Sequence, residues 1–340
     1  MCGMKKVLLV GQKYSIFDEP LRRTFQQLGW EIKFIDYLGT PFLMTNTWTQ
    51  LVFNKLPTVI RNPLLAAEFR KIDKKLIETV DDFKPDLVFV SKGKNINLDM
   101  LDLIREKTVV VNWYPETMDH WKRISSIAPH YSHFFSFDPG VVSELQKLGC
   151  QNAHYLPFCA DIEKDATYPV KNYKYNISFI GSYEPMRYQE REKILSQVKD
   201  LGLHIWGNKA WRNTSLREHY HSYATKEEMR QIHRDSKIVL GMHVFGIGGT
   251  GVNVRPFDVT GSGGFLLNHA ERKDIFNLFE DGKEFISFGG TDDIREKVKY
   301  YLAHDEEREQ IAKAGFEKTK KEHTYLDRIA EVLGVIGLND

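Results

Sequence analysis

Asn176-Ile177-Ser178-Phe179-Ile180-Gly181-Ser182 is a short apolar run that stops on a glycine and a serine. A run of that length, closed by turn formers and rich in β-branched and aromatic side chains, predicts a buried parallel strand. The rhythm continues downstream: a helical pattern from Arg187 to Asp200, a strand His204-Ile205-Trp206 ending at Gly207, a helix from Lys226 to Arg234, and a strand from Lys237 to Met242. Gly264 to Asn268 and Glu284 to Phe288 predict two more strands. From Thr291, a predicted N-cap, the tail is helical, with Ile294, Val298, Tyr301 and Leu302 on one face. Two further helices, Asp305 to Lys321 and Tyr325 to Leu333, finish the chain.

Upstream of this run, Asp161 to Lys174 is mixed in charge and interrupted by Pro169, a composition that suits a linker. Before the linker the same alternation appears once already. Val7 to Val10, Glu31 to Tyr37, Asp86 to Val90, Thr108 to Val111, His133 to Phe137 and Ala153 to Leu156 predict strands, with helical spacing over Glu19 to Leu28 and Leu64 to Val80. Strands separated by helices predict an α/β chain with parallel sheets. Two such units in series predict a doubly wound, Rossmann-like pair, residues 1–163 and 164–340, whose strand C-terminal edges face a central cleft where ligands bind.

Composition bounds the function. The 340 residues carry 47 Lys plus Arg against 46 Asp plus Glu, so the formal charge is +1, which argues against a nucleic-acid protein held by bulk electrostatics. Cys2, Cys150 and Cys159 lack any Cys-x-x-Cys spacing and predict neither a disulfide framework nor a zinc knuckle, consistent with a reducing cytoplasm. The uncharged stretches Tyr37 to Asn54 and Ile238 to Val254 are broken by Pro41, four threonines and five glycines, so neither predicts a transmembrane segment.

The chemistry concentrates between Met242 and Asn268. A strand runs into Gly246-Ile247-Gly248-Gly249-Thr250-Gly251, then Asn253-Val254-Arg255-Pro256-Phe257-Asp258, then Gly261-Ser262-Gly263-Gly264. A glycine loop leading to a proline-started helix offers free N–H groups to an anion, and Arg255 adds a bidentate clamp. Gly246, Gly248 and Gly251 match Gly-x-Gly-x-x-Gly, but the match falls late in the chain and not in the opening βαβ unit, so a dinucleotide fingerprint is set aside. His243 follows the strand and points toward the same loop.

The order Asn253-x-Arg255-x-Phe257-Asp258, Gly263-Gly264-Phe265-Leu266-Leu267, Phe276, Asp281-Gly282, Glu284, Tyr300-Tyr301-Leu302, Arg308 and His323-Thr324-Tyr325-x-x-Arg328 resembles the CgeB-like, spore-maturation type of GT-B glycosyltransferase, related to family 4. The likeness covers residues 176 to 333; before residue 160 only the fold rhythm agrees. It implies a hexosyltransferase-type enzyme with no cofactor of its own, whose donor is a nucleoside diphosphate-sugar, UDP-linked by expectation, held by the C-terminal domain. The acceptor, a glycan, a lipid-linked sugar or a protein, falls to the N-terminal one. Asp258 maps onto the family's ribose-binding acid, which is normally Glu. Gly181 and Ser182 map onto the diphosphate wall with Arg187 nearby, Gly249, Gly251 and Asn253 onto the donor loop, and Trp206 with Gly207 onto the nucleobase region.

No Asp-x-Asp triplet occurs, so no metal ligand is expected and the diphosphate is expected to be stabilised by Arg255 and helix dipoles, with a retaining outcome by family analogy. A general base would come from Asp18, Glu19, Asp119 or His120 on strand-end loops of the first domain. Two other readings stay open: a non-catalytic nucleotide-sugar-binding or spore-coat type protein of the same fold, and a sugar-nucleotide epimerase.

Overall fold

The computed structural model describes residues 4–13, 15, 17–37, 55–93, 96–243 and 249–339. Of the uncharged stretch Tyr37 to Asn54 only Tyr37 lies among them, and Gly246 to Gly248, like Cys2, lie outside. Two compact units divide the chain: Met1–Ser136 with Val141–Leu156 and Ile329–Asp340, and Phe137–Gly140 with Pro157–Arg328.

The first unit is built on six parallel strands, β1 Lys6–Gly11, β2 Glu31–Asp36, β3 Leu87–Ser91, β4 Val109–Tyr114, β5 His133–Ser136 and β6 Ala153–Tyr155, in the order β2-β1-β3-β4-β5-β6. Val7 to Val10 and Leu87 to Val90 are buried on both faces, as expected for strands flanked by crossover helices. Those helices are α1 Asp18–Gln27, α2 Thr58–Phe83, α3 Leu98–Arg105, α4 Trp121–Ile127 and α5 Pro139–Lys147. α2 begins six residues before the apolar period that predicted it and carries Pro63 in its second turn. Its interior face, Leu76 and Val80, joins the core with Ile35, Val88 and Phe134.

The second unit carries five parallel strands, β7 Tyr175–Ile180, β8 Leu203–Trp206, β9 Ser236–Gly241, β10 Leu266–His269 and β11 Ile286–Phe288, ordered β11-β10-β9-β7-β8. Its helices are α6 Gln189–Ser196, α7 Lys226–Asp235, α8 Arg255–Gly261, α9 Ile275–Leu278, α10 Ile294–Ala303, α11 Asp305–Glu322 and α12 Tyr325–Ile336. α6 is shorter than its pattern, since the chain tightens into a 3₁₀ turn at Lys199–Leu201. α10 is capped at Asp293 and not at Thr291; the Asp293 carboxylate instead accepts the Gly289 N–H at 2.9 Å.

Strand β7 pairs with β8 on one side and β9 on the other. Chain connections leave the C-terminal ends of β7 and β9 in opposite directions there, which opens a crevice at the switch point of the sheet. Among the described residues no helix is long and apolar enough to cross a membrane.

Candidate functional site

Arg255 is the first residue of α8, and its side chain reaches back into that crevice. Nε donates to the Ile180 carbonyl at the end of β7 at 3.2 Å, Nη1 donates to the Met242 carbonyl just past β9, and the guanidinium lies 5.5 Å from the Phe179 ring. Asn253 Oδ1 accepts the Arg255 N–H at 3.1 Å and fixes the entry into the helix. Burial lowers the Arg255 pKa to about 10, with Asp258 pulling the other way, so the group is still a cation at neutral pH.

A second arginine completes the lock. Arg191, on α6, is 4% exposed and donates through Nη1 to the Ser182 carbonyl at 2.5 Å and through Nη2 to the His243 carbonyl at 3.3 Å. Its guanidinium centre is 4.2 Å from the Tyr188 ring and 5.3 Å from that of Phe179. Burial and the neighbouring Arg255 push its pKa down to about 9. Neither arginine has a carboxylate within salt-bridge distance among the described residues, and Arg191 Nε is buried without a partner. Cations drawn out of water are ordinarily paired, so a buried and a part-buried arginine whose hydrogen bonds run to carbonyl oxygens form a site that an anion would complete.

His243, also predicted here, is 3% exposed with Nε2 unpartnered among the described residues. Burial and the charges of Arg255, Arg272 and Arg191 hold its pKa well below the usual histidine value, so the ring is neutral. Arg272, buried after the end of β10, donates to the Gly249 carbonyl. Gly249 adopts φ +121°, and a Cβ there would meet the Asp138 carboxylate at 2.2 Å; Gly251 is as confined, with the Phe137 carbonyl 2.5 Å from its missing Cβ. Asp138 Oδ1 accepts the Thr250 N–H at 3.0 Å, so this end of the glycine loop is tied down within the second unit.

The remaining predicted residues are distributed differently. The Gly181 N–H is already given to the Trp206 carbonyl at 2.9 Å, and its own carbonyl accepts the Trp211 indole N–H at 2.8 Å. Ser182 is exposed beyond it, as is Arg187. Trp206 is 7% exposed, with His221 stacked on its ring at 4.5 Å and 9°, so little of the indole is open to a ligand. Asp258, one turn into α8, makes no side-chain hydrogen bond among the described residues, and burial raises its pKa to about 7.

In the first unit Asp119 and His120 sit exposed on a 3₁₀ turn after β4, with His120 Nε2 3.3 Å from Glu116. Asp18 is the contrasting case. It is buried at the start of α1, accepts the Gln12 N–H at 2.8 Å, and is raised by burial to a pKa of about 6. Sequence reading passed over Arg191 in favour of Arg187. The signal was there: Arg191, Ile194, Leu195 and Val198 have the i, i+3, i+4, i+7 spacing of a buried helix face, on which an arginine is out of place.

A family model described as glycosyl transferase-like matches residues 189–334. Over the whole fold the chain is similar to Anabaena HepE solved with UDP-glucose, with a TM-score of 0.62 and 9% identity over 98% of this chain and 99% of that one. Sucrose-phosphate synthase from Thermosynechococcus elongatus superposes with a TM-score of 0.66 at 9% identity, covering 98% of each chain. A putative UDP-N-acetylglucosamine 2-epimerase from Listeria monocytogenes gives 0.60 at 12% identity over 99% of this chain and 98% of its own. Two parallel-sheet units of this topology, joined to the matched domain, define a glycosyltransferase of GT-B fold. Within that class the chain is CgeB-like: spore protein CgeB of Bacillus subtilis (strain 168) is 22% identical over 281 residues, 76% of this chain and 86% of that protein.

Proposed function

We propose that this chain transfers a hexose-type sugar from a nucleoside diphosphate carrier, uridine diphosphate in the first instance, to a hydroxyl group of a glycan, lipid-linked sugar or protein. The observation that carries the reading is the pair of Arg191, buried, and Arg255, part-buried, two cations with no carboxylate partner among the described residues, at the switch point of the second sheet. Their combined charge suits a diphosphate, and HepE, of the same fold, was solved with UDP-glucose. Arg255 and Arg191 hold the diphosphate, the neutral His243 offers it a further hydrogen bond, and Asp258 takes the ribose hydroxyls.

In the transfer, the acceptor oxygen bonds to the anomeric carbon as the bond from that carbon to the diphosphate oxygen breaks. The arginines stabilise the charge that develops on the leaving diphosphate, the role that fixed cations fill best in a dry site. With retention of configuration, the departing phosphate oxygen accepts the proton of the acceptor hydroxyl. For an inverting outcome, Asp18 is a first-unit carboxyl at a strand-end loop whose raised pKa suits a base. The reading puts the enzyme in a reducing cytoplasm, which suits the free thiols of Cys150 and Cys159.

The test is a donor panel of UDP-, GDP- and dTDP-sugars, with nucleotide release measured beside mixed glycan and lipid-linked acceptors. One donor should bind and turn over in an acceptor-dependent way, and Arg255→Ala should abolish both. Interconversion of donor sugars without an acceptor would make this an epimerase, and binding without turnover across the acceptor panel would make it a binding protein.

A further inference from the structure

A cavity of about 180 Å³ lies within the second unit, where α7, α8 and the chain from Ala160 to Pro169 meet. Its walls include Arg230, Arg234, Asp258, Thr167 and Ser262. Arg230 already serves Asp161, donating to Oδ2 at 2.6 Å beside the Lys226–Asp161 bond at 2.8 Å. Arg234 serves nothing: it has no hydrogen bond or ion pair among the described residues, and its Nε is buried without a partner.

An arginine near a helix C-terminus often only complements the helix dipole, as Arg234 could on α7. Such a residue keeps its head group in water. Arg234 instead has a buried Nε and lines a half-open cavity. The second acid at the wall, Asp258, has its pKa raised by burial to about 7, so it repels an anion there less than an ordinary carboxylate would. Arg230 and Arg234 lie at the wall beside Asp161, which Lys226 and Arg230 already neutralise, so the balance around the cavity is cationic. Size selects the ligand, because pockets for nucleotide-sized molecules run from about 300 Å³ upward and this one is well below that.

We infer that this cavity binds a small oxyanion of the size of inorganic phosphate, held by the Arg234 and Arg230 guanidiniums with Thr167 and Ser262 as hydroxyl partners. The site is separate from the proposed diphosphate crevice and shares with it only Asp258. Planar guanidiniums on i and i+4 positions of one helix present paired donors to such an ion.

The experiment titrates inorganic phosphate into the full chain in phosphate-free buffer at constant ionic strength, reading the thermal midpoint and the ³¹P line width. Wild type should show a saturable rise in midpoint with line broadening. Arg234→Gln should weaken phosphate at least about tenfold, the value of one charge-assisted hydrogen bond, and Arg234→Lys should lie between. Arg255→Gln should bind phosphate as wild type does. The inference is overturned if wild type shows no saturable response, if folded Arg234→Gln binds as tightly as wild type, or if Arg255→Gln abolishes binding, which would put the ion in the donor crevice. UDP binding, assigned to Arg255, should survive Arg234→Gln, so either reading can fail without the other.

Discussion

A Cβ atom on residue 207 would fall 2.1 Å from the carbonyl oxygen of Gly181, so the ends of β7 and β8 are pressed together as closely as two backbones allow. That carbonyl is held from the other side by the Trp211 indole, and it has nowhere to retreat. Gly207→Ala must therefore move backbone, and overpacking of this kind costs about 1–3 kcal/mol. We expect a lower urea midpoint with an unchanged m-value, together with weaker donor binding because the displaced carbonyl belongs to the loop that carries Ser182. Wild-type stability in the alanine variant would mean that the strand ends are looser than their spacing implies.

Arg191 touches the ends of two different strand loops at once, and charge alone cannot replace that fork. Arg191→Lys keeps the cation but can satisfy only one carbonyl well. Donor affinity should fall at least about tenfold in the lysine variant, and further in Arg191→Met, with both proteins folded by circular dichroism. Equal donor affinity in wild type and the methionine variant would remove Arg191 from the site.

The sheets were legible because each strand announces itself locally: Leu87 to Val90 or Ile177 to Ile180 can be read without knowing what lies beside them. The crevice was legible only in part. Arg255 and Asp258 stand next to glycines and a proline that mark a loop-to-helix junction, whereas Arg191 reaches the site from a separate helix, and only folding brings it to Ser182 and His243. The motif His323 to Arg328 shows the converse. It stands out in sequence, yet in the second unit it works as a brace: Arg328 donates to the Pro157 and Phe158 carbonyls and His323 Nε2 lies 3.0 Å from the Leu278 carbonyl. A conspicuous string of residues can mark a fold's fastening as readily as its chemistry.

Acid should unfold the protein partly through its histidines. His233 and His323 are buried, and desolvation lowers their pKa values to about 3 and about 4; His243 is lowered as well. A histidine lowered on folding stabilises the folded state fully above its unfolded value of about 6.5 and loses that contribution as pH falls toward the folded value. Between pH 6.5 and 5 each such residue should cost roughly 2 kcal/mol. His233→Met removes one of them, at a ring whose nitrogens make no well-formed hydrogen bond among the described residues. Urea midpoints of the variant should therefore change less between pH 7.5 and 5 than those of wild type; parallel pH profiles would contradict a neutral buried ring.

Asp258 should have the opposite dependence. Burial raises its pKa from 3.8 to about 7, against the attraction of Lys226, Arg230 and Arg255. The folded state therefore binds the proton more tightly than the unfolded one, so stability is greatest below the unfolded pKa and declines as pH rises through 4 to 7. Asp258→Asn keeps the shape and removes the titration. Relative to wild type it should gain stability at pH 8, on the order of 4 kcal/mol, and the gain should vanish by about pH 4. The same variant cannot ionise, so loss of donor binding in Asp258→Asn at pH 8, alongside that gain in stability, would mark Asp258 as an acid kept at a cost to the fold because the ligand requires its charge. Unchanged donor binding would instead assign Asp258 to the cavity beside Arg234 alone.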